Sequence, residues 1–571
     1  MRITISFIAC WVAICLLATT ANAQMIARPL SEEDAARYTR IFATQKSANW
    51  AAADRDIAAL QDRVLMGYVL RQRYMHRTGY RSTYRELANW LELYADHPYS
   101  AKVYNLARAR RPKGATPRRD VKRKWRVDSP QKLHPELAAD YYRNGREDHI
   151  RWIEGRVRWY NADDRPTQAL NFVNAKRKDL TEAQYDRITS WIAASYYYNG
   201  VYNKARSLAR QSAKRNGDKA VLAYWIAGLD AFRIGEHSAA TDYFSAMAAV
   251  PWQDDTLRAG AGFWAARSAL IAGREDLIVT NLEIAAQFPY TFYGQLALGQ
   301  LGQKASYNWI RPDFTTDQWA RLESASPRMK RAAALTQAGQ DEYAHTEIRW
   351  AVGELPISYD TDMLALAFDL GLPAAQIDIA ITGGAMAGRA PHLEAGLFPT
   401  PDWQPNGGFT LDKAIIFGLI RQESKFKSDA KSRVGAAGLM QLMPRTASAM
   451  AKGVVAYDNS RLYTDKAYNM QLGQSYVNRL LTRHTNGDLF EMALSYNWGP
   501  GNVRRFKAKS GIADQLLMLE SIPNPEARDF VEHVLRNMWV YRAKFGEPAP
   551  SRDAAAAGGK AIYQSVTAFR P

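Results

Sequence analysis

The sequence predicts an all-α protein, a long array of helical hairpins followed by a shorter helical domain near the C-terminus. Three observations predict it. From about residue 30 to 380, apolar residues recur at helical spacing and strand-like alternation is scarce. Inside that region YYYNGVYNKA, AFRIGEHSAA and ALIAGREDLI each place a turn glycine after an apolar or aromatic-rich helix. Between Gly383 and Gly408 the composition shifts to glycine and proline, and helical patterning resumes from 410 to 545. A chain of 571 residues is too long for one core, and 47% apolar with 23% charged residues excludes disorder.

The first element, 1–23, reads as a cleaved secretory signal. Arg2 precedes a mostly apolar run from Ile5 to Ala18, and Ala21-Asn22-Ala23 supplies a small-residue cleavage site before Gln24. A retained anchor is the alternative, but the run is short for a span of ~20 residues. Cleavage removes both cysteines, Cys10 and Cys15, which excludes disulfides, cysteine–metal sites and cysteine nucleophiles. It also removes Arg2, so the formal charge of +18 becomes +17. The mature chain is expected to be exported, soluble and periplasmic, with no stable membrane span. Export redirects the charge argument from nucleic acid to anionic envelope polymers. The densest basic tract, Arg108 to Arg126, holds ten Lys/Arg and is broken by Pro112, Gly114 and Pro117, so it reads as a loop.

The second element, 24–382, is the array. Gly200, Gly235 and Gly273 follow one another at intervals of 35 and 38 residues. Ala205 and Ala240 lie five residues after the first two, where a second helix must pack closely. A helix–glycine–helix unit of this period is the mark of a helical-hairpin solenoid. The region gathers no catalytic groups: its histidines are scattered, without HExxH or other metal spacing. Its many Tyr and Trp residues suit a core, and some a sugar-binding surface. Residues 383–409 read as a linker.

The third element, 410–545, carries the chemistry. Thr410 can cap a helix starting near Leu411. Ile415, Leu419 and Glu423 then share one stripe, which places Glu423 on a face turned to the core. A carboxyl there loses hydration, stays protonated near neutral pH and suits general acid catalysis. A salt bridge to Lys427 is the alternative. In 431–444, KSRVGAAGLMQLMP, Gly435 and Gly438 allow a tight backbone path; Gln441 offers an amide, and Met440 and Met443 apolar contacts. A loop pinned by its methionines fits equally. In ALSYNWGPGNVRRF, Tyr496 and Asn497 precede a Gly-Pro-Gly turn and offer a hydroxyl and an amide, or simply a turn. Asp429, Asp458 and Asp465 lack such settings and read as turn or surface residues. Residues 546–571 read as a flexible tail.

Glu423-Ser424, GLMQLMP at 438–444, NMQLG at 469–473, SYNWGPG at 495–501 and ESIPNPEARDFVEHVL at 520–535 occur in an order that resembles the soluble lytic transglycosylases. These are peptidoglycan-cleaving enzymes with a goose-lysozyme-like catalytic domain. The array resembles a degenerate tetratricopeptide array and the ring-forming superhelix of the large periplasmic members. The resemblance implies a lysozyme-like fold for 410–545 and a single acid/base at Glu423. It implies polar groups near the substrate acetamido groups at Ser432 and Gln441, an apolar cleft wall at Met443, and Tyr496 close to the catalytic carboxyl. Glu526 matches a second acidic cleft residue, and Ser424 and Asn497 complete the substrate-side set. Trp498, Ala527 and Asn524 depart from the family pattern, where Ala, Thr and an aromatic are common.

The implied reaction cleaves the β-1,4 bond between N-acetylmuramic acid and N-acetylglucosamine and forms a 1,6-anhydro product. Glycan strands are then the partner and no cofactor or metal takes part; the array offers a surface for envelope proteins, and nucleic acid is no partner. A goose-type lysozyme hydrolase and a non-enzymatic helical envelope scaffold are the competing readings.

Overall fold

The computed structural model describes residues 26–119 and 147–566. The expected signal at 1–23 and the part of the basic tract beyond Arg119 lie outside them. Among the described residues every extended element is a helix, with only three isolated bridges, at Lys431–Ala437, Ala437–Leu442 and Asp488–Ile562. No helix among them is long and apolar enough to cross a membrane.

The three predicted hairpins are present. Glu182–Tyr198 turns into Tyr202–Asn216, Val221–Arg233 into His237–Ala248, and Asp255–Ala272 into Ile278–Ala286. Gly200, Gly235 and Gly273 sit at the turns with φ of 76°, 84° and 71°, a backbone region that glycine enters without strain. Ala205 and Ala240 are fully buried where the paired helices meet. Two further hairpins escaped the sequence reading. Gly339 joins Pro327–Gln337 to Asp341–Glu354, and Gly371 joins Asp360–Asp369 to Pro373–Thr382.

The N-terminal end of the array closes onto its later hairpins. The Ile26 amide donates to Asp369, and Leu30 and Gln337 exchange two hydrogen bonds of 3.0 Å. The Tyr68 hydroxyl donates to Glu347 Oε1 at 2.8 Å. Glu347 is fully buried between Arg328 and Arg331, at 2.8 and 2.7 Å.

The C-terminal domain sits on this array at separate places. Arg267 pairs with Asp514, and the Tyr293 hydroxyl donates to the buried Glu520. Elsewhere Lys466 meets Asp341 at 3.2 Å, and Ser428 donates through its amide and hydroxyl to Glu342.

Three expectations need correction. The helix carrying Glu423 is Lys413–Glu423, starting at Asp412 rather than at Thr410, whose amide donates to Gln474 Oε1. Asp412 is held there by the Arg542 guanidinium at 2.7 Å, in a pair with both side chains buried. The stretch 383–409 is no free linker: Leu393, Ala395, Leu397 and Phe398 are buried in the core. The described part of the tail is docked. Pro550–Ala556 is a helix, Ala561 is fully buried, and Gln564 O accepts from Arg542 Nη2. Ala555 and Ala556 are buried core residues, small enough to let that helix lie close against Phe292–Gln300.

Candidate active site

The helix Lys413–Glu423 is apolar along its length, and Ile415 and Leu419, on the stripe of Glu423, are fully buried. It lies against the long helix Pro525–Lys544 so closely that a Cβ at Gly418 would come 3.0 Å from the Met538 nitrogen. A buried network fixes its C-terminal turn. Arg421 donates to Leu397 O at 2.7 Å and to Asn537 Oδ1 at 3.0 Å, and Asn537 donates to Gly418 O at 3.2 Å. Beyond the helix end, Lys425 and Phe426 adopt positive φ of 50° and 64°, unusual for residues with side chains. Phe426, buried against Trp403 and Phe417, holds that turn in place. Such strain clusters at functional sites.

Glu423 itself is half-buried, and no cation pairs with it among the described residues. Lys427 lies by the Asp378 carboxylate instead, so the salt-bridge alternative falls. Burial, and then the charge of Glu526 nearby, push the Glu423 carboxyl up to about 8. Glu526 lies exposed in the first turn of Pro525–Lys544. Tyr496 ends up beside the same carboxyl: burial and the Glu423 charge hold its phenol well above the usual range. Its hydroxyl donates to Met440 O at 2.7 Å, and its ring stacks on Phe530 and meets Tyr476.

The 431–444 segment forms a tight hairpin rather than a regular element. Gly438 takes φ 73°, and a Cβ on it would lie 2.0 Å from Leu462 O, so both conformation and space demand glycine. Gln441 takes φ 44° and spends its amide hydrogens on Ala430 O and Gly438 O, at 3.0 and 2.8 Å. Its Oε1 therefore remains as the group it can offer a ligand. The Ser432 hydroxyl oxygen accepts from the Ala436 amide at 2.8 Å and keeps its own proton to donate. Met443 is 42% exposed at the start of Pro444–Ala451. Asn497 is half-buried and makes no side-chain hydrogen bond among the described residues.

Ser424 is different. It is buried, and its hydroxyl donates back to Ile420 O at 3.2 Å, so it finishes the helix rather than standing open to a ligand. Asp458 accepts from Ser460, and Asp465 caps Lys466–Arg483, the turn roles expected for them. Sequence reasoning missed the Arg421–Asn537 network, which joins side chains 116 residues apart. It also missed Asn469, for which the NMQLG motif was a signal.

A family model described as "Transglycosylase SLT domain" matches residues 404–518. The likeness to that domain is thus confined to residues 404–518. Among curated relatives, it is 35% identical over 143 residues to the soluble lytic murein transglycosylase of Escherichia coli K12, across 24% of this chain and 22% of that one. It is 27% identical over 291 residues to the Salmonella typhimurium protein of the same name, across 50% and 44%. The chain thus spans less than half the length of these relatives. Among solved structures, the 70-kDa soluble lytic transglycosylase of E. coli superposes with a TM-score of 0.56 at 19% identity, over 93% of this chain and 99% of that one. An inactive mutant of the lytic transglycosylase Slt of Pseudomonas aeruginosa superposes with a TM-score of 0.55 at 20% identity, over 89% and 79%. The SLT domain and the array before it therefore share their fold with these proteins.

Proposed function

We propose that the chain is a periplasmic peptidoglycan lytic transglycosylase, cleaving between N-acetylmuramic acid and N-acetylglucosamine to leave a 1,6-anhydro end. Residues 24–382 are its array and 410–545 its catalytic unit, and 1–23 direct export. The observation that carries the reading is Glu423, a carboxyl without a cation in the SLT domain, held protonated near neutral pH by burial and by Glu526. A carboxyl in that state is ready to donate a proton.

Glu423 protonates the glycosidic oxygen. Positive charge grows at the muramoyl C1 and is met by the substrate's own acetamido group or by cleft dipoles. The ionised Glu423 then takes the proton of the muramoyl C6 hydroxyl, whose oxygen closes on C1. Gln441 Oε1 accepts from an acetamido N–H, Ser432 and Asn497 meet sugar polar groups, and Met443 walls the cleft. The route uses no cofactor or metal. The glycan strand is the partner; the array's surface toward envelope proteins is part of the proposal.

Digestion of purified sacculi followed by mass spectrometry tests this. Anhydro-muramoyl ends support it. Reducing ends alone would favour a hydrolase, and no release at all a scaffold.

A further inference from the structure

The segment 424–430 links Glu423 to the hairpin that carries Ser432 and Gln441, so its placement governs the spacing between them. At its start, the turn with Lys425 and Phe426 at positive φ is closed by the Lys427 amide, which donates to Ser424 O at 3.1 Å. At its end, Ala430 O accepts from the Gly438 amide at 2.8 Å and from Gln441 Nε2 at 3.0 Å, which ties the segment to the hairpin. The hairpin's other side is held within the SLT domain by Asn469. Its Oδ1 accepts from the Met440 amide at 2.9 Å, and its Nδ2 donates to Ala437 O at 3.0 Å. The middle of the segment is held from outside that domain. Ser428 donates through its amide at 2.8 Å and its hydroxyl at 2.6 Å, both to Glu342 Oε1, in the first turn of the array helix Asp341–Glu354. The Asp429 carboxyl is hydrogen-bonded to the same group.

A turn with two such residues persists only when its surroundings hold it. Hydrogen bonds to a carboxylate are among the strong ones. One carboxylate oxygen of the array takes both donors of Ser428, two residues beyond that turn. We propose that Glu342 is a positioning residue for the reaction: it pins the segment between Glu423 and the Gln441 hairpin, so that the acid and the groups meeting the sugar keep their spacing. The array thereby completes the site. The inference rests on the lytic reading and deepens it.

The test compares full-length variants in two ways: kcat and KM for anhydro-end release from sacculi, and hydrogen exchange of 424–444 read by mass spectrometry. Glu342→Ala should lower kcat about 10–100-fold, the worth of a small misplacement at a reacting centre, and change KM less. Exchange across 424–444 should quicken about tenfold, as loss of a hydrogen bond to a charged group allows. Glu342→Gln keeps an oxygen to accept from Ser428 and loses the charge facing Asp429; it should restore both readouts to within about threefold of the wild type. Asp341→Ala, which cuts the neighbouring pair with Lys466, should move neither. An unchanged kcat in Glu342→Ala, even with faster exchange, would mean a structural role and overturn the proposal; so would unchanged exchange. A loss in Glu342→Gln equal to that in Glu342→Ala would overturn it too. An equal loss in Asp341→Ala would do the same, by showing a general loosening of the interface. If Glu342→Ala does not fold, Ser428→Ala removes the 2.6 Å hydrogen bond and should show the same changes to a lesser degree. If the wild type releases no anhydro ends, the lytic reading fails, while exchange still decides whether Glu342 pins the segment.

Discussion

The array and the SLT domain use the same two devices, glycines and buried carboxylates, to opposite ends. At the hairpin turns of the array, Gly200, Gly235 and Gly273 face open space, and only their positive φ demands glycine. In the SLT domain, Gly418, Gly438 and Gly473 are needed for room, because a backbone or a methionine presses on each. The array's buried carboxylates are neutralised: Asp186 by Arg215, Asp230 by Arg206, and Glu347 by two arginines. Glu423 has no such partner. The array satisfies these charges, whereas Glu423 is left without a cation, and burial raises its proton affinity.

Carboxyl substitutions break this comparison most sharply. Glu423→Gln should lower the rate of anhydro-end release by about 10²–10⁴-fold, the usual worth of a general acid. Binding to sacculi, read by co-sedimentation, should persist. The same substitution should stabilise the protein. A folded-state value near 8 against an ordinary 4.5 means that the wild type loses stability as pH rises between them. Thermal unfolding should therefore show the variant gaining over the wild type from pH 4.5 to 8. Glu347→Ala should do the reverse, costing about 3–5 kcal/mol in denaturant unfolding because two buried arginines lose their counter-charge.

Glycine substitutions sharpen the second half. Gly438→Ala should cost about 2–4 kcal/mol, combining strain with a clash against Leu462 O, while Gly200→Ala should cost about 1–2 kcal/mol from strain alone. The smallest effect belongs to Glu526→Gln. Removing the like charge lowers the Glu423 value and moves the alkaline limb of the pH–rate profile to lower pH, by less than burial contributes.

What the sequence disclosed follows the range of the interactions involved. Turn glycines, the core-facing stripe through Glu423 and the Gly438 hairpin are local patterns, and each was legible. The hairpins at Gly339 and Gly371 were not singled out, although each has the same positive-φ turn glycine. The closure of Leu30 on Gln337, 307 residues apart, leaves no local trace. Alanine-rich 554–557 looked like a loose tail because small residues signal close packing only when the neighbouring helix is known. Ser424 looked like a ligand because nothing in a sequence tells a hydroxyl turned back on its own helix from one turned outward.

The account turns on a carboxyl left without a cation at the end of Lys413–Glu423. Titration of Glu423 in the wild type, isolated by subtracting Glu423→Gln, tests that most directly. The account predicts a midpoint near 8. A midpoint in the ordinary carboxylate range, near 4.5, would contradict it.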